Sequence, residues 1–251
     1  MKKNFNKNQI ERYSRQIVLK NVGVIGQKKI FNSKVLVVGV GGLGCPIADY
    51  LTRAGVGTIG VVDFDKVNIS NIHRQNLYNQ KDIGKYKVDV VKEKIKLINS
   101  FTRIITYKKR IIDNKLNKII KNFDIIVDGS DNFKTKFLLN KYSIKYKKIL
   151  IIGAISKFDG HVFTFDFNDK KSPCLRCFYQ SDPSDEILNC EAEGIMGPVA
   201  GIIGNIQANE VLKKILKIGK DLKKNILIAN LLTLNFRKAS FKKRKNCSCQ
   251  N

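Results

Sequence analysis

The feature that most constrains this chain is GVGGLG at Gly39 to Gly44. It sits between an apolar run, Lys34 to Gly39, and an apolar-periodic helix, Leu43 to Ala54. Glycines at 39, 41 and 44 between a strand and a helix permit a tight turn. They also let backbone N–H groups approach phosphates and let the helix pack closely on the sheet. The next apolar run, Thr58 to Val62, ends at Asp63, 19 residues after Gly44. An acid at that spacing can accept from ribose hydroxyls. A nucleotide site is expected, and these residues alone leave NAD and ATP both open.

Apolar runs and helical patterns go on alternating, as in a parallel α/β sheet. Helical spacing covers Val88 to Ile98, Lys115 to Ile120 and Asn132 to Tyr146. Strands are expected at Ile104 to Tyr107, Asp124 to Asp128 and Ile149 to Gly153. Beyond them, His161 to Phe167 alternates like a strand with one exposed face. A weakly periodic loop, Asn168 to Glu193, precedes a helix from Val199 to Ile218 and strands near Ile226 and Leu234 to Phe241. The expected fold is a Rossmann-like, mainly parallel sheet with helices on both faces, an antiparallel C-terminal extension and a zinc knuckle. One domain over 1–251 is the simplest organisation: an N-terminal helical segment (1–33), a nucleotide-binding core (34–155) and the extension (156–251).

The loop after the second strand crowds Asp65, Asn68, Asn71, Arg74, Gln75 and Asn76 together, and Lys87 follows. A nicotinamide needs a flat, mostly apolar slot. Two cations among amides suit a triphosphate whose charge grows during transfer chemistry. Asp128, Ser130, Asp131 and Asn132 end another strand, where parallel sheets present ligand-binding groups and a carboxylate can hold Mg²⁺. An NAD(P)-dependent oxidoreductase is the alternative, disfavoured by this set of charges.

Cys174 and Cys177 form C-L-R-C, and Cys247 and Cys249 form C-S-C. Two close pairs read as a four-thiolate structural Zn²⁺ site in a reducing compartment. Cys45 opens the helix after the glycine loop, where a small packing role outweighs activation by the helix dipole. Cys190 lies in a polar loop, LNCEAEG, as a candidate nucleophile. His73 and His161 have no partners that suggest catalysis.

The net charge of +26, from 47 basic and 21 acidic residues in 251, invites a nucleic-acid reading. Yet Lys outnumbers Arg 38 to 9, and Lys, Ile and Asn fill 95 positions. AT-rich codons account for that bias. No basic run is interleaved with stacking aromatics, so no nucleic-acid partner is expected. No apolar run reaches the ~18 residues of a membrane span, and the N-terminus lacks a signal-peptide core. A cytoplasmic protein without membrane partners is expected.

Taken together, these motifs resemble the ubiquitin-activating-enzyme-like adenylyltransferases of bacteria, the ThiF/MoeB/HesA family. The resemblance runs from RYSRQI (Arg12 to Ile17) through GVGGLG, DFDKVNISNIHRQ (Asp63 to Gln75), DGSDN (Asp128 to Asn132) and CLRC. It continues through GPVAGIIGNIQANE (Gly197 to Glu210) to the last cysteines. It implies a homodimer that binds Mg·ATP and adenylates the C-terminal Gly-Gly carboxylate of a small ubiquitin-like sulfur carrier, in molybdopterin or thiamine biosynthesis. By motif position, Gly42 belongs to the phosphate loop with Gly39, Gly41 and Gly44, and Asp63 to the ribose. Arg74 and Lys87 would neutralise phosphates. Asn71 would support them, with Asp65, Gln75 and Asn132 lining the same site. Asp131 would hold Mg²⁺, and Arg15 would reach the γ-phosphate of the other protomer. Cys190 matches a cysteine used for thioester or persulfide chemistry in some members. The four paired cysteines match the family's zinc ligands, with a shortened C-S-C. No C-terminal rhodanese domain follows, so the sulfur donor is expected to be a separate protein such as a cysteine desulfurase or rhodanese.

Overall fold

In a computed structural model of the protein, which describes residues 5–181, 183 and 194–247, the apolar runs assemble into one eight-stranded sheet. Its strands are β1 (Lys34–Val38), β2 (Thr58–Asp63), β3 (Arg103–Lys108), β4 (Ile125–Asp128), β5 (Ile149–Ser156), β6 (Asp159–Asp166), β7 (Asn225–Asn230) and β8 (Asn235–Ser240). The order across the sheet is β3-β2-β1-β4-β5-β6-β7-β8. The first five strands pair in parallel and the last three antiparallel. The Rossmann-like core with an antiparallel extension is therefore as the sequence pattern leads one to expect.

The helices are α1 (Lys7–Ile17), α2 (Gly23–Asn32), α3 (Gly44–Ala54), α4 (Lys87–Ile98), α5 (Asp113–Ile120), α6 (Phe133–Lys145), α7 (Leu175–Phe178) and α8 (Gly197–Leu216). Successive strand side chains point to opposite faces. In β1, Val35 and Val37 join a core with Ile47 and Leu51 of α3, Val91 and Ile95 of α4, and Ile203 and Val211 of α8. Leu36 and Val38 join the opposite core with Leu116 and Ile120 of α5 and Leu139 and Tyr142 of α6. Helices on both faces explain why the parallel strands read as continuous apolar runs. Among the described residues, no helix is long and apolar enough to cross a membrane.

One expectation needs correcting. β6 has no exposed face, because Val162, Phe163, Thr164 and Phe165 are all buried. Val162 enters the core under α8, while Phe163 and Phe165 meet Phe178 and Phe241 edge-on. A second layer on each side covers what the strand's own alternation would leave open.

Two chain features position the site. The chain leaves β1 towards β2 and β3, then returns to build β4 and β5 on the other side of β1. This makes a topological switch point at the carboxyl ends of β1 and β4. α3 stops at Gly55, whose left-handed backbone (φ 89°) closes the helix and packs under the ring of Tyr13. The Tyr13 hydroxyl accepts from Asn99 Nδ2 at 2.8 Å, which fixes α1 to the end of α4.

Candidate active site

A cleft of about 1750 Å³ opens at the switch point. Its floor is the glycine loop. Gly39 has φ 82°, and a Cβ there would lie 2.9 Å from the Gly129 carbonyl oxygen. A Cβ on Gly44 would lie 1.9 Å from the carbonyl oxygen of Gly39. The turn closes only because both positions lack a side chain. Gly39, Gly41 and Gly42 line the cleft, with Gly44 just beneath as the first residue of α3.

Asp63 ends β2 and anchors the loop. Its Oδ2 accepts from Val40 N at 2.8 Å and its Oδ1 from Asp65 N at 2.8 Å. Burial pushes its carboxyl above the usual carboxylate range, against the opposing pull of Lys87. An ionised carboxylate offers about four lone-pair sites. These two backbone contacts leave acceptor capacity on the cleft side. The Val40 carbonyl receives Tyr78 Oη at 2.7 Å and Cys45 Sγ at 3.2 Å. Burial raises the Cys45 thiol to about 12, so it packs as a neutral group.

Above the floor, Lys87 is nearly buried at the start of α4 and reaches Asp65 Oδ2 at 3.1 Å. Asn71 closes a tight turn by accepting from Asn68 N at 3.1 Å. Arg74 donates to the Ser70 carbonyl at 2.8 Å and lies 2.7 Å from His73 Nε2. Gln75 is 3% exposed, and among the described residues its Oε1 has no partner. Such an orphan costs ~1–3 kcal/mol unless something in the cleft meets it.

The opposite wall starts at the end of β4. Asp128 is fully buried and faces Lys136, not the cleft. Lys136 Nζ donates to Asp128 Oδ2 at 2.7 Å, the Ser130 carbonyl at 2.8 Å and the Gly153 carbonyl at 2.7 Å. This pair shapes the turn that carries Asp131, which is exposed and touched by Asn132 Nδ2 at 3.3 Å. Asn132 also caps α6 by accepting from Thr135 N at 2.8 Å. Sequence reasoning missed Lys136. A lysine on a helix reads as solvated, and nothing in the local sequence marks this one as the partner of Asp128.

The structure thus brings Gly39, Gly41, Gly42, Asp63, Asp65, Asn71, Arg74, Gln75, Lys87, Asp131 and Asn132 into one cleft. Nine Lys and Arg residues line it against three aspartates, which suits anionic ligands. Arg15 is exposed on α1 and does not line the cleft of its own chain.

The cysteines gather elsewhere. Cys174 Sγ lies 3.9 Å from Cys177 Sγ and 3.6 Å from Cys247 Sγ, and all three residues are buried. Thiolates on one tetrahedral zinc sit roughly 3.8 Å apart, so these three fit a metal. Cys190 and Cys249 lie outside the described residues.

The sequence pattern of the ThiF family matches residues 13–251. Over 245 residues the chain is 37% identical to a sulfur carrier protein adenylyltransferase of Thermus thermophilus, covering 96% of this chain and 90% of that one. It is 41% identical over 207 residues to an adenylyltransferase and sulfurtransferase MOCS3 of Dictyostelium discoideum, covering 82% of this chain and 48% of that protein. The chain therefore spans about half the length of that second relative. A probable molybdopterin-synthase adenylyltransferase of Gracilaria tenuistipitata is 39% identical over 228 residues, with 91% and 64% covered. Among solved structures, E. coli MccB with ATP superposes with a TM-score of 0.83 at 23% identity, covering 96% of this chain and 75% of that one.

Proposed function

The chain belongs to the ThiF family, and from that premise we propose that it is an ATP-dependent adenylyltransferase acting on a small ubiquitin-like sulfur-carrier protein. The observation that carries this reading is the meeting, at one switch point, of a phosphate-sized glycine turn with Arg74, Lys87 and Asp131. The unpartnered Gln75 oxygen in the same cleft supports a polar ligand there. The cationic lining does not favour hydride transfer to a nicotinamide.

The carrier's terminal carboxylate is ionised at pH 7 and needs no general base. It attacks the α-phosphorus of ATP; a carboxyl O–P bond forms, the bond to the bridging α–β oxygen breaks, and pyrophosphate leaves. Arg74 and Lys87 neutralise charge as it grows on the phosphates, and Asn71, Gln75, Asp65 and Asn132 orient the nucleotide. Asp63 uses its remaining lone pairs for the ribose while its backbone contacts keep the glycine loop in register. Arg15 comes from the second protomer of a homodimer, consistent with its position outside its own cleft. Asp131 would hold Mg²⁺, which supplies further charge neutralisation at the phosphates.

Cys174, Cys177 and Cys247, with Cys249, would hold a structural Zn²⁺. Cys190 acts downstream of adenylation, with sulfur delivered by a separate donor. Among carriers we favour that of molybdopterin synthase, on the name of the Gracilaria relative; a thiamine-pathway carrier is the other choice. Pyrophosphate exchange into ATP tests the reading. It should require a carrier ending in Gly-Gly, and ATP with Mg²⁺ but not NAD should raise the melting temperature. Stabilisation by NAD alone would overturn it.

A further inference from the structure

The motif GPVAGIIGNIQANE lies within α8, and none of its residues lines the cleft. Yet α8 presses on every loop that does. At Gly197 a Cβ would lie 2.5 Å from the His73 carbonyl oxygen, so the helix starts against the backbone that carries Arg74. Gly42 of the glycine loop faces Ala200, and a Cβ on the glycine would come within 3.1 Å of the alanine Cβ. At Gly204 a Cβ would lie 2.7 Å from the Leu43 carbonyl oxygen. Steps of three or four residues put Gly197, Ala200, Gly204 and Gln207 on one face of the helix. The first three are small, which lets the helix lie directly on the loops.

The fourth is long and polar. Gln207 is fully buried and donates from Nε2 to the Asp128 carbonyl at 2.8 Å. Its Oε1 has no partner among the described residues. Gly153 of β5 makes room for the amide, since a Cβ there would fall 2.2 Å from that oxygen. A buried amide with one half unmet stabilises a fold poorly, and an apolar side chain of similar shape avoids the penalty. What glutamine adds is one donor, and that donor goes to the residue from which the Asp131 turn springs.

Asp128 is thereby fixed from both faces of the sheet. Lys136 of α6 holds its carboxylate, and Gln207 of α8 holds its carbonyl. The two helices belong to opposite cores. The first contact fixes a side chain; the second fixes the peptide plane that leads into Gly129, Ser130 and Asp131. Because α8 also rests on Gly42 and His73, its amide sets that turn relative to the glycine loop and the Arg74 loop.

We infer that Gln207 is a positioning residue that registers the Asp131 turn against the glycine loop, so that a divalent cation held by Asp131 meets a nucleotide held by the loop. It touches neither ligand. This rests on the adenylyltransferase reading, in which Asp131 holds Mg²⁺, and adds the residue that decides where it does so.

The test measures binding, not turnover. ATP is titrated calorimetrically into the whole protein with excess Mg²⁺ and again with EDTA. In the wild type Mg²⁺ should tighten binding, and Asp131→Ala should remove most of that gain. Gln207→Met, which keeps length and loses the donor, should weaken Mg·ATP binding roughly tenfold, the scale of one lost buried hydrogen bond. Binding of ATP in EDTA should change by no more than about twofold. The melting temperature should stay within about 4 °C of wild type. Gln207→Met combined with Asp131→Ala should bind Mg·ATP about as weakly as Asp131→Ala alone. Val211→Ala is the control: this buried α8 side chain lies in the core, so its loss should lower the melting temperature and leave both Kd values in place. If Gln207→Met does not fold, Gln207→Leu removes the same donor and should give the same pattern. Equal weakening with and without Mg²⁺, or none in either, overturns the positioning role. Additive losses in the double variant overturn the link to Asp131. A wild type that binds ATP equally well in EDTA overturns Asp131 as the metal site and this inference with it. A wild type that binds no ATP sinks the adenylyltransferase reading itself.

Discussion

Lys136 places its ammonium 2.7 Å from the carboxylate of Asp128, and the two side chains are 1% and 0% exposed. All three ammonium protons have acceptors, two of them backbone carbonyls, that of Ser130 just after β4 and that of Gly153 within β5. The turn that presents Asp131 is therefore clamped from behind by a pair that never meets solvent. Breaking such a pair from one side strands the other charge. Lys136→Met should cost about 3–5 kcal/mol in urea unfolding. Lys136→Met with Asp128→Asn should cost less than Lys136→Met alone. A double variant as unstable as the sum of its parts would show that the pair is not coupled.

Asp131 is exposed and, among the described residues, its carboxylate accepts one long hydrogen bond, from Asn132, so Asp131→Ala should fold normally and lose pyrophosphate exchange. Arg15→Ala should do the same if its guanidinium serves the other protomer. Mixing the two inactive variants under demonstrated subunit exchange should restore roughly a quarter of wild-type sites, because half the dimers are mixed and each holds one intact site. No restoration would place Arg15 within its own chain's function or outside it altogether.

The thiol cluster makes a compositional prediction. Elemental analysis should find about one zinc per chain, as for a single four-thiolate site. Cys174→Ser should lose metal and thermal stability together. A zinc-free protein of unchanged melting temperature would contradict this.

His161 lies half-buried on β6 opposite Ile228, with Asp159 and Arg237 nearby. Burial holds its folded-state pKa below the unfolded 6.5. The unfolded chain therefore takes up the proton first as pH falls. The stability contribution of neutral His161 is present above pH 6.5 and lost as pH drops through the depressed folded value. Wild type should lose stability relative to His161→Gln on acidification from pH 7, measured by urea midpoints. Parallel pH profiles for the two proteins would refute it.

Much of the fold was legible because each apolar run is buried by its own period: Val35 and Val37 against α3 and α8, Leu36 and Val38 against α5 and α6. The glycine loop and Asp63 were legible as a pair because the turn requires glycine and the next strand ends on the acid. What sequence could not show is which partner each acid takes. Asp128 and Asp131 stand three residues apart in one motif, yet one is sealed against Lys136 and the other faces the cleft. That choice depends on α6 folding back over β4, a tertiary event with no local signature. The burial of β6 escaped for the same reason, since Phe178 and Phe241 reach it from distant segments.

The strand order carries a kinetic consequence. Lys34 and Asp124 stand 90 residues apart, yet Lys34 N–H donates to the Asp124 carboxylate at 2.9 Å where β1 and β4 begin to pair. Pairings of such long sequence separation form slowly, because loop closure must precede any contact that rewards it. The glycine turn and its β2 acid come together through the nearer β1–β2 pairing, whereas the wall bearing Asp131 waits for β4. A nucleotide recognised by both halves finds no complete binding surface until that late closure. Binding should then act chiefly by slowing the escape from the native state, lengthening its lifetime while leaving the rate of its formation almost untouched.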